Sequence, residues 1–358
     1  MNTQVKQKDF ADQDFYIGID VHKKQWTVAI RWQKMELKQF SMNPNPKELA
    51  CHMNKNYPKG TYHSVYEAGF CGYWIHRDLI KLGFKNIVVN AADIPTTQKE
   101  KDQKRDKLDA RKQARELENG SLKGIYVPEE YHQNLRSLVR LRNRLVSHQT
   151  RIKNRIKAFL HFNGYTIINN NEMSHWSRPF INWLKSLEFN EAAGADSFES
   201  NIRQLEFGRN ELLTVTRKIR FHIRSGKGKE IVFDYLLSVP GVGLIVASNL
   251  YAELADMDRF PSLDHLASLV GLVPSVHASD EKEINRGMTY RCNHYLRSLL
   301  IESAWVAARV DPALTIAFSE LCKRMKKQEA IIRIAKKLLN RIRYVWKNQT
   351  PYSVGTIQ

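Results

Sequence analysis

The sequence predicts an α/β domain followed by two mainly helical parts, and two patterns support this. Between residues 14 and about 125, short apolar runs of strand type alternate with segments of helical periodicity. Beyond residue 126, apolar residues recur at helical spacing over long stretches with few turn signals. The predicted divisions are 1–125, 126–229 and 230–358, which suits a chain of 358 residues.

The first part opens with three strand-like runs. They cover Phe15–Val21, Trp26–Arg31 and Leu37–Ser41. A helix is predicted at Asn45–Asn54, where Pro46 falls in the tolerant first turn. The elements that follow are a strand at Tyr62–Tyr66, a helix at Tyr73–Lys81, a strand at Asn86–Asn90 and a helix at Gln103–Leu117. Three strands, then helix, strand, helix, strand and helix, is the order expected of an RNase H-like domain.

Carboxylates stand at the ends of two of these strands. Asp20 closes the first apolar run, and Glu67 follows directly after the strand predicted at Tyr62–Tyr66. Ligands of open α/β sheets collect at such strand ends. Asp106 and Asp109 lie three apart on the last helix, which puts both on one helix face. Acids in such places are costly unless cations meet them. We therefore predict a site for two Mg²⁺ ions, of the kind that cuts or transfers phosphodiesters.

Each of these acidic positions also has a structural interpretation. Asp106 and Asp109 stand among lysines and arginines and could form ordinary helix salt bridges, which contribute little at a surface. His22 could contact a metal or a phosphate, although a lone histidine is more often hydrogen-bonded within the fold. Asp102 precedes the helix and is better explained as a cap for its first free N–H groups.

Composition favours a polyanionic partner, because the net charge is +19 and the sequence pI is near 9.7. Hydrophobic residues make up 42%, which is enough for real cores and excludes a disordered basic tail. The four cysteines are scattered and suggest neither zinc nor disulfides, so we expect reduced thiols in a cytoplasmic protein. No membrane span is predicted, since the N-terminus lacks an apolar core and Leu236–Leu254 is broken by proline and glycines.

The middle part is predicted to contain long basic helices. Tyr131–Leu160 holds eight lysines and arginines and no acid. Apolar residues recur every seven positions, at Leu138, Leu145, Ile152 and Phe159. One face can therefore pack while the rest stays cationic, either as a solvated helix of its own domain or as a coiled-coil helix that contacts nucleic acid. A second helix is predicted at Ser197–Arg224, and Asn163–Ala195 is left unassigned.

The last part contains a helix, a tight turn and a second helix within residues 236–247. Gly241 and Gly243 permit positive φ and close approach of a phosphate, and the second helix offers free N–H groups. This pattern resembles a helix-hairpin-helix, and its alternative is an ordinary αα-turn. Cys322–Trp346 is a basic amphipathic helix, best explained as a cap on its own domain. Its inward residues are Ile331, Ile334, Leu338 and Ile342.

Several sequence blocks carry a family resemblance. They are Gly18-Ile19-Asp20-Val21-His22-Lys23, Tyr66-Glu67-Ala68-Gly69, Asp106-Lys107-Leu108-Asp109-Ala110, Ser238–Ala247, Phe260-Pro261-Ser262, Leu269–Pro274 and Asn293–Leu300. In this order they resemble the DEDD transposases of the insertion sequence one-ten family. The resemblance implies a RuvC-like catalytic domain, a helical segment and a C-terminal transposase domain.

The resemblance also implies partners. It points to a recombinase of a mobile element, guided by an RNA from the element's non-coding end that pairs with donor and target DNA. It further implies a dimer or tetramer in a prokaryotic cytoplasm, associated with the nucleoid. The residues expected to contact nucleic acid are Lys23, Lys24, Arg105, Arg136, Arg140, Arg144, Arg151, Arg155, Gly241, Gly243, Arg286 and Arg291.

The family uses a serine nucleophile within a Pro-to-Ser-Ser-Gly stretch, and Ser279 takes the position of the second serine. Ala278 replaces the first serine, Asp280 replaces the glycine, and Ser275 is a local rival. Serine attack would keep the phosphate in a covalent ester, but a hydroxyl needs a base or a metal for activation. The alternatives are a metal-only RuvC-like endonuclease that uses water, and a non-catalytic nucleic-acid-binding protein whose binding falls with salt.

Overall fold

The computed structural model describes residues 9–95, 106–167, 176–226, 230–279 and 282–354. Within helices and strands, the side chains of residues 106–108, 230, 275–279 and 282–287 are not part of this description. The chain folds into two compact units, Met1–Val127 and Pro128–Gln358. The boundary between them lies within a few residues of the predicted end of the first domain.

A five-stranded mixed sheet forms the centre of the first unit. Its strands are β1 (Asp14–Val21), β2 (Trp26–Trp32), β3 (Met35–Met42), β4 (Thr61–Glu67) and β5 (Lys85–Val89). The order across the sheet is β3-β2-β1-β4-β5. The first three strands form an antiparallel meander, and β4 and β5 run parallel to β1. The predicted mixed α/β architecture is confirmed, and the predicted strand limits differ from these by at most two residues.

Different helices cover the two faces of the sheet. On one face, α1 (Pro46–Asn56) and α2 (Trp74–Lys81) pack on alternate strand residues and form a buried apolar cluster with them. On the other face lies α3 (Asp106–Glu118). Ala110 and Ala114 of α3 are fully buried against Ala29 of β2. Small side chains on both surfaces let this helix lie close to the sheet.

The second unit is mainly helical and also contains a small sheet. Its helices are α4 (Glu130–Phe162), α5 (Arg178–Lys185), α6 (Ala192–Arg224), α7 (Glu230–Leu237), α8 (Leu244–Leu254), α9 (Leu263–Val270), α10 (His294–Val310), α11 (Pro312–Cys322) and α12 (Lys327–Asn348). The strands β6 (Pro274–Ser279) and β7 (Lys282–Met288) form an antiparallel hairpin. This hairpin was not predicted from the sequence.

The long helices α4 and α6 form an antiparallel hairpin, here termed the helical arm. Tyr131, near the start of α4, donates from its hydroxyl to the carbonyl of His222 near the end of α6, at 3.0 Å. Farther along, Gln149 Nε2 donates to the carbonyl of Leu205 at 3.1 Å. The helix predicted to pair in a coiled coil therefore packs along a partner in its own chain. Pairing between chains stays a prediction.

The two ends of the helical arm belong to separate apolar clusters. At the base, Val139 and Val215 share one core with α8, α10 and α12. At the tip, Ile152 and Phe198 pack with Phe180 of α5, which lies in the stretch left unassigned from the sequence. The predicted boundary near residue 229 stays a prediction, because the base and the C-terminal helices share a core. The residues predicted to face inward on α12 are all buried, namely Ile331, Ile334, Leu338 and Ile342.

A buried carboxylate joins the base of the helical arm to the C-terminal helices. Glu253 of α8 is only 4% exposed, and Arg140 of α4 contacts both of its oxygens, at 2.6 and 2.9 Å. Arg136 lies 3.4 Å from the same carboxylate, and Asn293 donates to it at 2.9 Å. Arg136 and Arg140, predicted to contact nucleic acid, thus neutralise an internal charge.

The most apolar stretch of the sequence, Leu236–Leu254, was predicted not to span a membrane, and it contains α8. Within the described residues, no helix combines the length and the apolarity needed to cross a lipid bilayer.

The buried carboxylate gives a stability prediction. Glu253→Gln should lower the free energy of unfolding of the second unit by about 1–3 kcal/mol, because the partly exposed guanidinium groups of Arg136 and Arg140 lose a buried counter-charge that also accepts their hydrogen bonds. Chemical denaturation measures this loss. Glu199→Gln is the matched control, since Glu199 is exposed and its ion pair with Arg203 should contribute at most about 1 kcal/mol. Equal effects of the two substitutions would contradict the role assigned to Glu253.

Candidate active site

Two carboxylates lie at the ends of neighbouring strands. Asp20 is the penultimate residue of β1, and Glu67 is the last residue of β4. These strands are parallel, and Ile19 pairs with Tyr66. Asp20 and Glu67 each follow by one residue and therefore lie side by side in the same register. Adjacent strands lie about 4.8 Å apart, which sets the two backbone positions side by side. The predicted meeting of Asp20 and Glu67 at one sheet edge agrees with this register.

Gly18 decides how closely α3 approaches this edge. Because side chains alternate along a strand, Gly18 and Asp20 face α3, opposite to the apolar cluster under α1 and α2. A Cβ atom at Gly18 would lie 2.0 Å from the carbonyl oxygen of Ala110 and 2.6 Å from the amide nitrogen of Ala114. The helix backbone therefore rests directly on β1, which a residue with a side chain would prevent.

The direction of α3 sets its first turns over the strand ends. Its last residue, Glu118, accepts a hydrogen bond at 2.7 Å from Arg31, which lies opposite the start of β1. The beginning of α3 therefore points toward the end of β1 that carries Asp20. Asp109 lies in this region and is partly buried. Asp106 begins the helix, and its side chain is outside the described residues.

Gln113 connects α3 to the strand-end acids. It is 1% exposed, and its Nε2 donates to Glu67 Oε1 at 3.2 Å. Its Oε1 is also buried and has no hydrogen-bond partner among the described residues. Gln113 follows Asp109 by four positions and Asp106 by seven, so the three share one helix face. This residue was not predicted from the sequence, although its spacing from the two acids was a usable signal.

The arginines of α3 bind other acids. Arg111 lies 2.9 Å from Glu36 of β3, and Arg115 lies 2.9 Å from its neighbour Glu116. Neither guanidinium is committed to Asp109. The alternative that Asp106 and Asp109 form ordinary salt bridges with the surrounding lysines and arginines stays open, since several of those basic side chains are outside the described residues.

His22 lies directly after the end of β1 and contacts the first acid. Its Nε2 is 3.0 Å from Asp20 Oδ2, and the imidazole is about half exposed. This contact agrees with the interpretation that His22 is hydrogen-bonded within the fold, and its partner is the carboxylate of Asp20. His22 therefore helps to orient Asp20 at the edge of the site.

Tyr66 fixes the turn that follows Glu67. Its side chain is buried, and the hydroxyl donates to the carbonyl of Gly72 at 2.9 Å and accepts from the amide of His76 at 3.3 Å. Burial raises the pKa of Tyr66, so the hydroxyl stays neutral and keeps its donor proton. The backbone beyond the second strand-end acid is thus held by a buried hydrogen bond.

The donors at this edge suit a hard divalent cation. Carboxylate oxygens are the ligands that Mg²⁺ prefers, and Asp20, Glu67 and Asp109 supply them from three elements. The unpartnered amide oxygen of Gln113 adds a neutral donor close to Glu67. Among the described side chains, no three acidic, histidine or cysteine groups already surround a cation position. That set includes Asp20, His22, Glu67 and Asp109, whereas the side chain of Asp106 lies outside it. The site of four carboxylates therefore stays a prediction.

The serine predicted as nucleophile lies in the second unit. Ser279 ends β6 and pairs with Lys282 at the start of β7, across the tip of the hairpin. Ser275 lies near the other end of β6. The side chains of both serines are outside the described residues. The backbone at Ser279 is therefore that of a hairpin tip.

The helix, turn and helix predicted around residues 236–247 are present as α7, the turn and α8. Gly241 has φ +82, and a Cβ there would lie 2.4 Å from the carbonyl oxygen of Ser303 in α10. Gly243 has φ −86 and faces open space. Of the two glycines expected to permit positive φ, Gly241 adopts it and Gly243 does not. The close contact with α10 separately excludes a Cβ atom at Gly241. Phosphate binding at this turn stays a prediction.

The basic residues predicted to contact nucleic acid fall into three groups. The exposed group comprises Lys23, Lys24, Arg144, Arg151, Arg155 and Arg291. Arg136 and Arg140 are the internal partners of Glu253. Arg105 and the side chain of Arg286 are outside the described residues, as is Asp102, predicted to cap α3.

Two family models match this chain. The model for the DEDD transposases of IS110 elements matches residues 17–163, which include the strand-end acids and α3. A second model, described as the transposase of the IS116/IS110/IS902 family, matches residues 234–319, which include the hairpin of β6 and β7. The order of the two matches is the order of the two compact units.

Named relatives agree with these matches. The transposase for insertion sequence element IS1533 of Leptospira borgpetersenii is 25% identical over 346 residues, covering 91% of this chain and 96% of its own. A protein of Sinorhizobium fredii named as a transposase is 27% identical over 81% of this chain and 71% of its own. The transposase for element IS1111A of Coxiella burnetii is 28% identical over 57% of this chain and 55% of its own.

The close contact at Gly18 gives a prediction about the site. Gly18→Ala should lower the free energy of unfolding of the first unit by about 1–3 kcal/mol, because α3 must move off the strand. Amide exchange in Asp106–Glu118 should rise, because the helix loses its closest contact with the sheet. Gly194→Ala is the matched control, since nothing lies within 4 Å of a Cβ there. Unchanged exchange in α3 would show that the contact does not position the helix.

Proposed function

Since the chain belongs to the IS110 family of transposases, we propose that it cuts and rejoins DNA at a metal site formed by Asp20, Glu67, Asp106 and Asp109. Family membership makes it a DNA transposase and counts against a purely non-catalytic binding protein. The close packing of α3 on β1 is the observation that supports this site, because it directs the helix acids toward the strand ends. A RuvC-like fold of the first unit is part of the same proposal.

The side chains of the first unit would hold and orient the reacting phosphate. Bound Mg²⁺ would supply charge to polarise that phosphate and to lower the pKa of an attacking hydroxyl. Asp20 and Glu67 offer oxygens from adjacent parallel strands, and α3 offers those of its acids from above the sheet. His22 and Gln113 each hold one strand-end carboxylate by a hydrogen bond, which limits its rotation.

Ser279 is the proposed nucleophile of the second unit. Its Oγ would attack phosphorus, forming an Oγ–P bond as the P–O bond to one DNA strand breaks. The hydroxyl proton would pass to a base, and the departing strand oxygen would take up a proton. Reversal of this exchange by a strand hydroxyl restores a phosphodiester and frees the serine, so rejoining needs no ATP.

The partners proposed are donor and target DNA, a guide RNA from the element and further copies of this chain. The net charge of +19 supports binding to these polyanions. RNA guidance and the dimeric or tetrameric state come from the family resemblance, as does action at the nucleoid of a prokaryotic cell. The protein can be purified from cells that contain the whole element. Sequencing of the bound RNA then tests RNA guidance, and light scattering tests the oligomeric state.

The metal site is tested by removing one ligand at a time. Asp20→Ala, Glu67→Ala and Asp109→Ala should each abolish cutting of the element's own ends, a loss of more than about 100-fold, since even outer contacts of metal ligands contribute 10–100-fold. Cutting of labelled DNA in Mg²⁺ is the measurement. Asp78→Ala is the control, because Asp78 is an exposed acid on α2 that pairs with Lys81. Full activity in the Asp20 variant would exclude this metal site.

The nucleophile is tested by trapping a covalent intermediate. The full protein should form a protein–DNA adduct that mass spectrometry maps to Ser279, and Ser279→Ala should remove it while Ser275→Ala retains it. Mg²⁺-dependent cutting without any adduct would favour the metal-only endonuclease. An adduct on Ser275 would move the nucleophile to the opposite end of β6.

A further inference from the structure

The first unit exposes an aromatic and basic patch at one edge of its sheet. We term it the rim patch, and it consists of Lys23, Lys24, Phe70 and Trp74. Phe70 is 64% exposed and Trp74 is 45% exposed. Lys23 Nζ lies 5.8 Å from the centroid of the Phe70 ring. Large exposed aromatic rings gain little from the hydrophobic effect, so folding alone does not account for them.

The rim patch adjoins the candidate active site. Lys23 lies in the turn that follows β1, three residues beyond Asp20, and Phe70 lies three residues beyond Glu67. The contact between Lys23 and Phe70 joins the turns that leave the two acid-bearing strand ends. The patch therefore occupies the sheet edge at which a scissile phosphate would bind.

The backbone that carries Phe70 is fixed by hydrogen bonds on both sides. Ala68 donates its amide to the carbonyl of Val89 at 2.8 Å, and the amide of Gly72 donates to the carbonyl of Gly69 at 3.1 Å. The buried hydroxyl of Tyr66 holds the same turn from below, as described above. Phe70 is thus presented on a preorganised turn, which lowers the entropy cost of ligand binding.

We propose that the rim patch binds an unpaired nucleobase next to the scissile phosphate. The base stacks on Phe70, and Lys23 and Lys24 neutralise the adjacent phosphate. Ring stacking of this kind tolerates any base, whereas bases within a duplex have both faces covered. The inference rests on the proposed function and defines its substrate as DNA with an unstacked nucleotide at the cut.

The test places 2-aminopurine at an unpaired position beside the cleavage position in DNA of the element's own ends. Binding to the full protein should quench its fluorescence, and Phe70→Ala should remove this quenching. Phe70→Ala should also raise the KM for cutting about 5- to 100-fold with little change in kcat, while Phe70→Trp restores both readouts. Phe162→Ala is the matched control, since Phe162 is 90% exposed at the end of α4.

The lysines are tested by the salt dependence of binding. Lys23→Ala should reduce the slope of log K against log salt by about 0.7, the value for one lost contact to a single-stranded phosphate. Lys85→Ala is the control, because Lys85 is exposed at the start of β5, at the opposite end of the sheet. Equal slopes for the two variants would remove the phosphate role of Lys23.

Three results would overturn the proposal. The first is unchanged quenching and KM in Phe70→Ala, and the second is failure of Phe70→Trp to restore the quenching and KM of the unaltered protein. The third is a Phe70→Ala variant whose melting temperature falls while its quenching and KM stay unchanged. The proposed function has a separate failure, which is the absence of Mg²⁺-dependent cutting by the unaltered protein. The quenching assay reads binding alone and therefore decides the stacking role in either case.

Discussion

The contact between β1 and the backbone of α3 is the constraint on which the candidate active site depends. Gly18 lets the helix rest on the strand, and buried Ala110 and Ala114 present a flat surface to it. This contact directs the first turns of α3 toward Asp20 and lets buried Gln113 reach Glu67. Strand pairing sets Asp20 beside Glu67, and the packing of α3 points the start of that helix toward the same sheet edge. The chemistry proposed for this edge follows from that geometry, since a cation can bind several carboxylates only if their backbones hold them nearby.

The second unit depends on a different interaction, in which charge is buried among apolar cores. Glu253 would be costly inside the protein without Arg140, Arg136 and Asn293 around it. Because these partners come from α4 and from the start of α10, one carboxylate fixes the positions of three helices. The cationic surface that remains on α4 includes Arg144, Arg151 and Arg155, and it lies beyond this cluster toward the tip of the helical arm. The arginines that bind Glu253 and the exposed arginines for which nucleic-acid contact is proposed thus lie at different positions along the same helix.

Local patterns predicted the elements well, because they depend on neighbouring residues alone. The apolar runs identified the five strands of the sheet, and the apolar stripe on α12 identified its buried face. The sheet edge that gathers Asp20 and Glu67 followed from strand order. The partners of Arg140 and Glu67 could not be predicted in this way, since they lie 113 and 46 positions distant. The hairpin of β6 and β7 escaped prediction because its segment, Pro274–Met288, lacks a clear apolar alternation.

The helical arm also has a mechanical consequence. Each of its two helices has 33 residues, so the arm extends for about 50 Å at 1.5 Å per residue. At that length, a tilt of 5° at the base displaces the tip by about 4 Å, more than the thickness of one base pair step. Buried Glu253 ties the base of the arm to the C-terminal helices and so restricts such a tilt. Loss of the contacts of Glu253 at the base would widen the range of positions that the tip samples, even though every contact at the tip remained intact.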